Sequence, residues 1–523
     1  MANLRAFESR RAQMNRLKKF IGSARTVSLI VPLLLGIITS IYVARVGVHG
    51  HGVALFEAYD FRALYCGGQA VLKHENPYRV EPVRSCEHTE HPTTLFKKDV
   101  PAWVILPAPY PGYALELFSQ FARAPYPLAK AIWLGLLVAS IGWLVPVCAR
   151  LSGWSPIVVT LVLLPTAFLS NVWLGSTPPL AMLAVALAAL AMLRGKPNWA
   201  VPPLALAMID PHLALPAGIA LAVVSPKARV AIAAGLCVLI ALSLHAIGLP
   251  GNLEYFNDQL PMHARAEVFV RLQYSLTHLL AIAGVPIDAA LRLGSASYAA
   301  LALFAIYNAI RDARDNLGGA RTITLPVAIV ALGGTFIHNQ EISLALPALF
   351  VLVRSAETKI NRLLLTIGFV GVLFSPTVFN LKYGAPTYIL GCVAIAFALW
   401  PARRIGACLS VAVIATLLVF GVRELPHKTF TDMAAASLPE PPGIVSSTRS
   451  GIVWADFLKA RPSWTQEDPA SIVMKVPTWI GLISIVFLAV RTRRSRKIAV
   501  PNDIIKEQTF PIQCTQRGVL GQV

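Results

Sequence analysis

Asp60, Asp210 and His338 are the side chains of this sequence best suited to move a proton or hold an anion. Asp60 lies in Phe56-Glu57-Ala58-Tyr59-Asp60-Phe61-Arg62, Asp210 in Asp210-Pro211-His212, and His338 in His338-Asn339-Gln340-Glu341. A carboxylate can take the proton of an attacking hydroxyl, while histidine or arginine nearby can stabilise the anion that leaves. Ionisable groups are costly to bury in an apolar chain, so each counts as a functional candidate. Simpler readings stand beside them. Asp60 could cap the helix that begins next to it, Asp210-Pro211 could be hairpin-turn chemistry, and His338 could rest at headgroup level at the end of a span. A further set, His263, Arg265 and Arg271, reads either as solvated charge or as a phosphate clamp built on charge-assisted bonds.

These residues have to be positioned by a membrane bundle. Hydrophobic residues make up 56% of the 523, charged residues 14%, and mean hydropathy is +0.62, so the bilayer is the solvent. Apolar runs of roughly 20 residues, or shorter ones shielded by neighbours, recur along the chain. The expected fold is an all-α polytopic membrane protein of about 12–14 transmembrane or re-entrant helices. It forms one domain, 26–490, between cytoplasmic basic tails at 1–25 and 491–523.

The formal net charge of +20 raises the question of nucleic acid, but its distribution answers it. Arg5, Arg10, Arg11, Arg16, Lys18, Lys19 and Arg25 precede the first span, and Arg491, Arg493, Arg494, Arg496 and Lys497 follow the last. Basic flanks of this kind mark the cytoplasmic side and contact anionic headgroups; nucleic-acid binding is rejected. The run 26–44 is longer than a signal-peptide core and reads as a signal anchor. Spans follow near 128–149, 154–172, 177–193, 229–247, 288–308, 323–337, 342–353, 362–379, 385–400, 405–421 and 476–490. Between Lys196 and Lys227 the run 199–224 is interrupted by Asp210-Pro211-His212 and is expected to be a hairpin of two short helices. Non-helical backbone at such depth requires protein or water around it. With this parity the outer loops are 45–126, 248–287 and 422–475, and the three candidate groups converge on the outer face. The setting expected is the bacterial plasma (inner) membrane, with both termini cytoplasmic and the site extracytoplasmic.

In the first outer loop, 61–74 and 113–121 have helical spacing of apolar residues and are expected to lie in the interface plane. Cys66 and Cys86 share that loop, an oxidising compartment in most bacteria, so a disulfide between them is expected, with two free thiols as the alternative. No His/Cys cluster or carboxylate cluster implies a metal, and no Gly-rich loop implies a nucleotide; no cofactor is expected.

The segment Asp60-Phe61-Arg62-Ala63-Leu64-Tyr65-Cys66-Gly67-Gly68, closing at Asn76-Pro77-Tyr78, resembles the opening motif of glycosyltransferase family 87. Pro109-Tyr110-Pro111, Leu193-Arg194-Gly195-Lys196-Pro197 with Ile209-Asp210-Pro211, Gln273-Tyr274-Ser275-Leu276, and Phe336-Ile337-His338-Asn339 with Leu346-Pro347-Ala348-Leu349 are similar to later motifs of that family, in order. Asp210 stands where the family has Lys, Asn339 where it has a second His, and Gly175-Ser176-Thr177-Pro178 where it has Gly-Gln-x-Asn.

The resemblance implies a GT-C-type bundle and a polyprenol-phosphate-mannose-dependent α-1,2-mannosyltransferase-like activity. Asp60 would then be the base. His338, Arg265, Arg271, His212, Arg62 and Asn339 would be candidates to hold substrate or phosphate. The partners implied are a polyprenyl-phosphate sugar as co-substrate, a glycan or glycolipid acceptor, and membrane lipid. Two other classes stay open: a transporter or flippase of a lipid-linked or small polar solute, since broken helices with a polar midpoint also serve transport, and a catalytically silent envelope protein of the same fold.

Overall fold

The computed structural model describes residues 30–45, 58–90, 105–169, 172, 174–270, 272–375, 383–424, 444, 445, 447–460 and 470–499. The basic tail 1–25, the far end of the tail 491–523, Glu57 and Arg271 lie outside the described residues. The described chain is an all-α polytopic membrane protein. Helix α1 (Ile30–Arg45) is followed by α2 (Tyr59–Leu72), α3 (Val80–Glu90) and α4 (Gly112–Phe121), in the segment read from the sequence as the first outer loop. Then come α5 (Tyr126–Ser152), α6 (Pro156–Leu169), α7 (Pro178–Leu193), α8 (Val201–Ala207), α9 (Pro211–Val224) and α10 (Arg229–Glu254). The second half holds α11 (Leu260–Ala266), α12 (Leu276–Ile282), α13 (Ile287–Arg314), α14 (Gly319–Val330), α15 (Leu346–Leu352), α16 (Lys359–Val372), α17 (Gly384–Leu399), α18 (Arg404–Glu424), α19 (Ser450–Ala460) and α20 (Val476–Ala499).

Helix α7 is apolar on nearly every side and is the centre of the bundle, with Ala181, Met182, Ala184, Val185, Ala188 and Ala189 all buried. A helix without a polar face belongs in such a place. By contrast, α10 and α18 present Leu236, Val238, Leu409 and Leu417 outward, the faces expected against lipid. Helices α2 and α4 match the predicted interfacial segments and pack closely at Gly68, where a Cβ would meet the Phe118 carbonyl oxygen at 2.6 Å. The Cys66–Cys86 disulfide is formed and ties α2 to α3, with Cα atoms 5.6 Å apart. Thiol reagents should therefore miss both cysteines in native membranes until reductant is added; labelling of both without it would exclude the bridge.

The structure departs from the expected spans in instructive places. The predicted hairpin at 199–224 is present, as α8 and α9 on either side of Asp210. The outer loop predicted at 248–287 is instead largely helical: α10 resumes beyond a kink at Gly248 (φ 63) and Pro250, passes through a π turn at Tyr255–Gln259, and enters α11. Asn252 makes this possible. Its Nδ2 donates to the Gly248 carbonyl at 2.6 Å and the Ser243 carbonyl at 3.0 Å, pairing carbonyls that the kink would otherwise strand. The spans read at 323–337 and 342–353 shorten to α14 and α15 around an irregular stretch. Twelve residues reach only about 18 Å, less than a bilayer core, but α14 and α15 are enclosed by protein, which permits the interruption.

Two helix ends of the bundle are tied together by arginine. Arg354 donates to the Leu151 carbonyl at 2.6 Å and the Arg150 carbonyl at 2.7 Å. A buried ion network fastens α13, α14 and α20: Asp312 accepts from Arg321 Nε at 2.7 Å and from Arg493 Nη2 at 2.7 Å. Removing one partner of such a network leaves buried charge uncompensated. Asp312→Ala is expected to destabilise the bundle by about 3–5 kcal/mol, checked as a drop in the melting temperature of the detergent-purified protein.

Candidate active site

Asp60 sits in the first turn of α2, but the N-cap position falls on Ala58 (φ 51), and the helix has no side-chain cap bond. Capping therefore does not explain the carboxylate. Its backbone N–H donates to the Leu174 carbonyl at 3.0 Å, and its Oδ2 accepts from Ser176 Oγ. The turn that brings Ser176 there depends on Gly175 (φ 70), where a Cβ would meet that of Phe61 at 2.8 Å, and on Trp133 Nε1 donating to the Gly175 carbonyl at 2.7 Å. The next residue, Thr177, donates from Oγ1 to Asp210 Oδ1 at 2.9 Å, with the Tyr110 hydroxyl 3.4 Å away. Two consecutive hydroxyls thus tie Asp60 and Asp210 to the same turn. The hairpin tip is pinned by Tyr113 donating to the Met208 carbonyl at 2.9 Å and Tyr298 donating to the His212 carbonyl at 2.6 Å.

His338 arrives on an extended pairing with Gln273. Tyr274 N–H donates to the Ile337 carbonyl at 2.6 Å and Asn339 N–H to the Leu272 carbonyl at 2.9 Å. The His338 Nε2 lies 2.8 Å from Glu267 Oε2. Glu267 also accepts from Trp454 Nε1 at 2.9 Å and Gln273 Nε2 at 3.4 Å, and has His263 Nε2 at 3.5 Å. A second carboxylate–imidazole pair stands beside it: Glu341 Oε2 lies 3.2 Å from His212 Nε2 and accepts the His338 backbone N–H at 2.8 Å.

The charges follow from this packing. Burial pushes the half-buried Asp60 carboxyl up to about 6, opposed by the Ser176 bond and by His338, and aided by Glu267 and Glu341. Burial alone would also raise Glu267, but His263 and His338 outweigh it and bring Glu267 down to about 2. Burial works to lower His338, yet Glu267 beside it, with Glu341 and Asp60, lifts it above its ordinary value. Burial lowers His263, opposed by the charge of Glu267. The outcome is a carboxylate raised toward neutrality near an imidazole whose protonated form the neighbouring glutamate favours.

Asp60, Asp210, His212 and His338 are therefore brought together. Arg62 is buried, its guanidinium 5.9 Å from the Tyr59 ring centre. It opposes the burial that pushes Glu87 up to about 7. Asn339 is half-buried and donates to Ser375 Oγ at 3.3 Å. Arg265 is 54% exposed and pairs with Asp288, away from the cluster. Sequence reasoning overlooked Glu267, Trp454, Ser176 and Thr177. Glu267 left one trace, four residues after His263 on the same helical face; Trp454 left none.

Fold and site together describe a polytopic membrane protein that brings a carboxylate near a glutamate-backed imidazole. Residues 109–333 match the family model for glycosyltransferase family 87, which bears out the resemblance carried by the motifs. Over that stretch the chain is similar to this glycosyltransferase family, and its helices are those of a polytopic membrane protein. The matched stretch contains the hairpin, the Gly175–Pro178 turn and Glu267, while Asp60 and His338 fall outside it. No curated protein and no solved structure matches the chain.

Proposed function

We propose that the protein is a GT-C-type hexosyltransferase that moves a sugar, mannose by the family resemblance, from a polyprenyl-phosphate donor to an extracytoplasmic glycan or glycolipid. Asp60 takes the proton of the acceptor hydroxyl as its oxygen bonds to the anomeric carbon. The bond from that carbon to the phosphate oxygen breaks from the opposite face, inverting the configuration, and the electron pair departs with polyprenyl phosphate. The leaving anion is already stabilised and needs no general acid; His338, with His212 beside it, holds it electrostatically. The reading is carried by one observation, the juxtaposition of Asp60 with the imidazole that Glu267 orients at 2.8 Å.

Detergent-solubilised protein should consume polyprenyl-phosphate mannose in the presence of an alkyl mannoside. A transporter would require a sealed vesicle, so solute movement across proteoliposomes without such turnover would replace this reading. The rate should depend on pH with a known sign. Asp60, raised to about 6, is a base only when deprotonated, so transfer should rise through pH about 6 on the acid side and fall again where His338 loses its proton. A rate independent of pH across that acid limb would remove Asp60 from the role.

A further inference from the structure

The transfer reaction gives Asp210 no task, yet its setting is an unusual one for a carboxylate. Asp210 is 3% exposed. Its Oδ1 accepts from Thr177, while Oδ2 is buried and has no hydrogen-bond donor among the described residues. A buried acceptor left unpaired costs about 1–3 kcal/mol, more when charged, and such a group calls for an explanation. Helix capping does not supply one: Asp210 precedes α9, but its side chain makes no cap bond there. Nor does a metal, because no group of three or more His, Cys, Asp or Glu among the described residues could hold one. The neighbourhood is instead one of hydroxyls and imidazole, with Thr177, Tyr110 and the His212–Glu341 pair around the carboxylate. Ser176 and Thr177 are consecutive, so Asp210 and Asp60 are bonded to neighbouring residues of one turn.

We infer that Asp210 is a specificity-determining residue, with Oδ2 accepting a hydrogen bond from a sugar hydroxyl that takes no part in the transfer. This rests on the reading of the site as a hexosyl-transfer centre. The hydroxyl belongs either to the donor hexose or to the acceptor sugar. A site built around such a bond rejects the analogue that lacks the hydroxyl far more strongly than an apolar pocket rejects a missing methylene.

The test compares wild type, Asp210→Ala and Asp210→Asn, purified in detergent, by titrated thermal protection. The probes are polyprenyl-phosphate mannose and octyl mannoside, each with its monodeoxy and monodeoxyfluoro series. Wild type should lose affinity by about 10²-fold or more at one ring position, and the series in which this happens identifies the source of the hydroxyl. Asp210→Ala should bind the parent and that deoxy analogue alike. Asp210→Asn can keep the Thr177 bond while presenting an amide donor, so it should accept the fluoro analogue that wild type rejects. It also serves as the folded control should the alanine variant fail to fold. Indifference of wild type to every deoxy position would overturn the inference, as would discrimination surviving unchanged in the substituted proteins. Absence of wild-type protection by any hexosyl lipid would overturn the parent reading, and this one with it.

Discussion

Asp60→Asn should yield a folded, membrane-inserted protein whose transfer rate falls by about 10²–10⁴-fold, the usual contribution of a positioned general base. The amide is nearly isosteric and can still accept from Ser176, so the bond that fixes the α2 start against the Gly175 turn is retained. Proton acceptance alone is lost. Single-turnover measurement with polyprenyl-phosphate mannose, alongside a melting curve, separates the two effects. A variant with unchanged melting and undiminished turnover would show that the acceptor is deprotonated elsewhere, and the mechanism would have to be rebuilt.

The second large effect is expected at Glu267, which sequence reasoning did not single out. Glu267 acts through His338 and is a positioning residue. Glu267→Gln keeps a hydrogen-bonding side chain beside Trp454 and His338 but withdraws the negative charge. Loss of one preorganised stabilising group for a developing anion costs about 10²–10³-fold in rate, and a fall toward that range is expected if His338 holds the phosphate. The sign of the pH effect distinguishes this from a merely structural lesion. Burial works to lower His338, while Glu267, Glu341 and Asp60 all lift it toward its protonated form. Removing the charge of Glu267 should therefore move the alkaline limb of the rate profile to lower pH while the Asp60 limb stays on the acid side. Glu267→Ala should add a folding cost of about 1–3 kcal/mol by stranding the Trp454 indole N–H in a buried place. An alkaline limb that does not move in Glu267→Gln would separate Glu267 from the chemistry.

Local pattern carried much of the architecture. The helices at Tyr59–Leu72 and Gly112–Phe121, and the broken helix around Asp210, are where apolar spacing and proline placed them, because both signals act within a few residues. The region after Gly248 defeated the same logic. The span read as ending at 247 continues past Gly248 and Pro250 because Asn252 re-pairs the stranded carbonyls. The Gly175-Ser176-Thr177-Pro178 stretch looked like a departure from a family motif. In three dimensions it is the connector between the two carboxylates, a role that depends on what lies across from it rather than on its own composition.

Apolar content and the placement of Arg and Lys were enough, unaided, to specify a multi-pass helical protein and to gather Asp60, Asp210 and His338 on one face, since the cost of burying polar backbone and charge in hydrocarbon is paid locally along the chain. The protonation of that face was settled only by tertiary packing. Glu267 reaches His338 across 71 residues and Trp454 across 187, and a pKa responds to whichever charges and dipoles come within a few ångströms in space, whatever their separation in sequence.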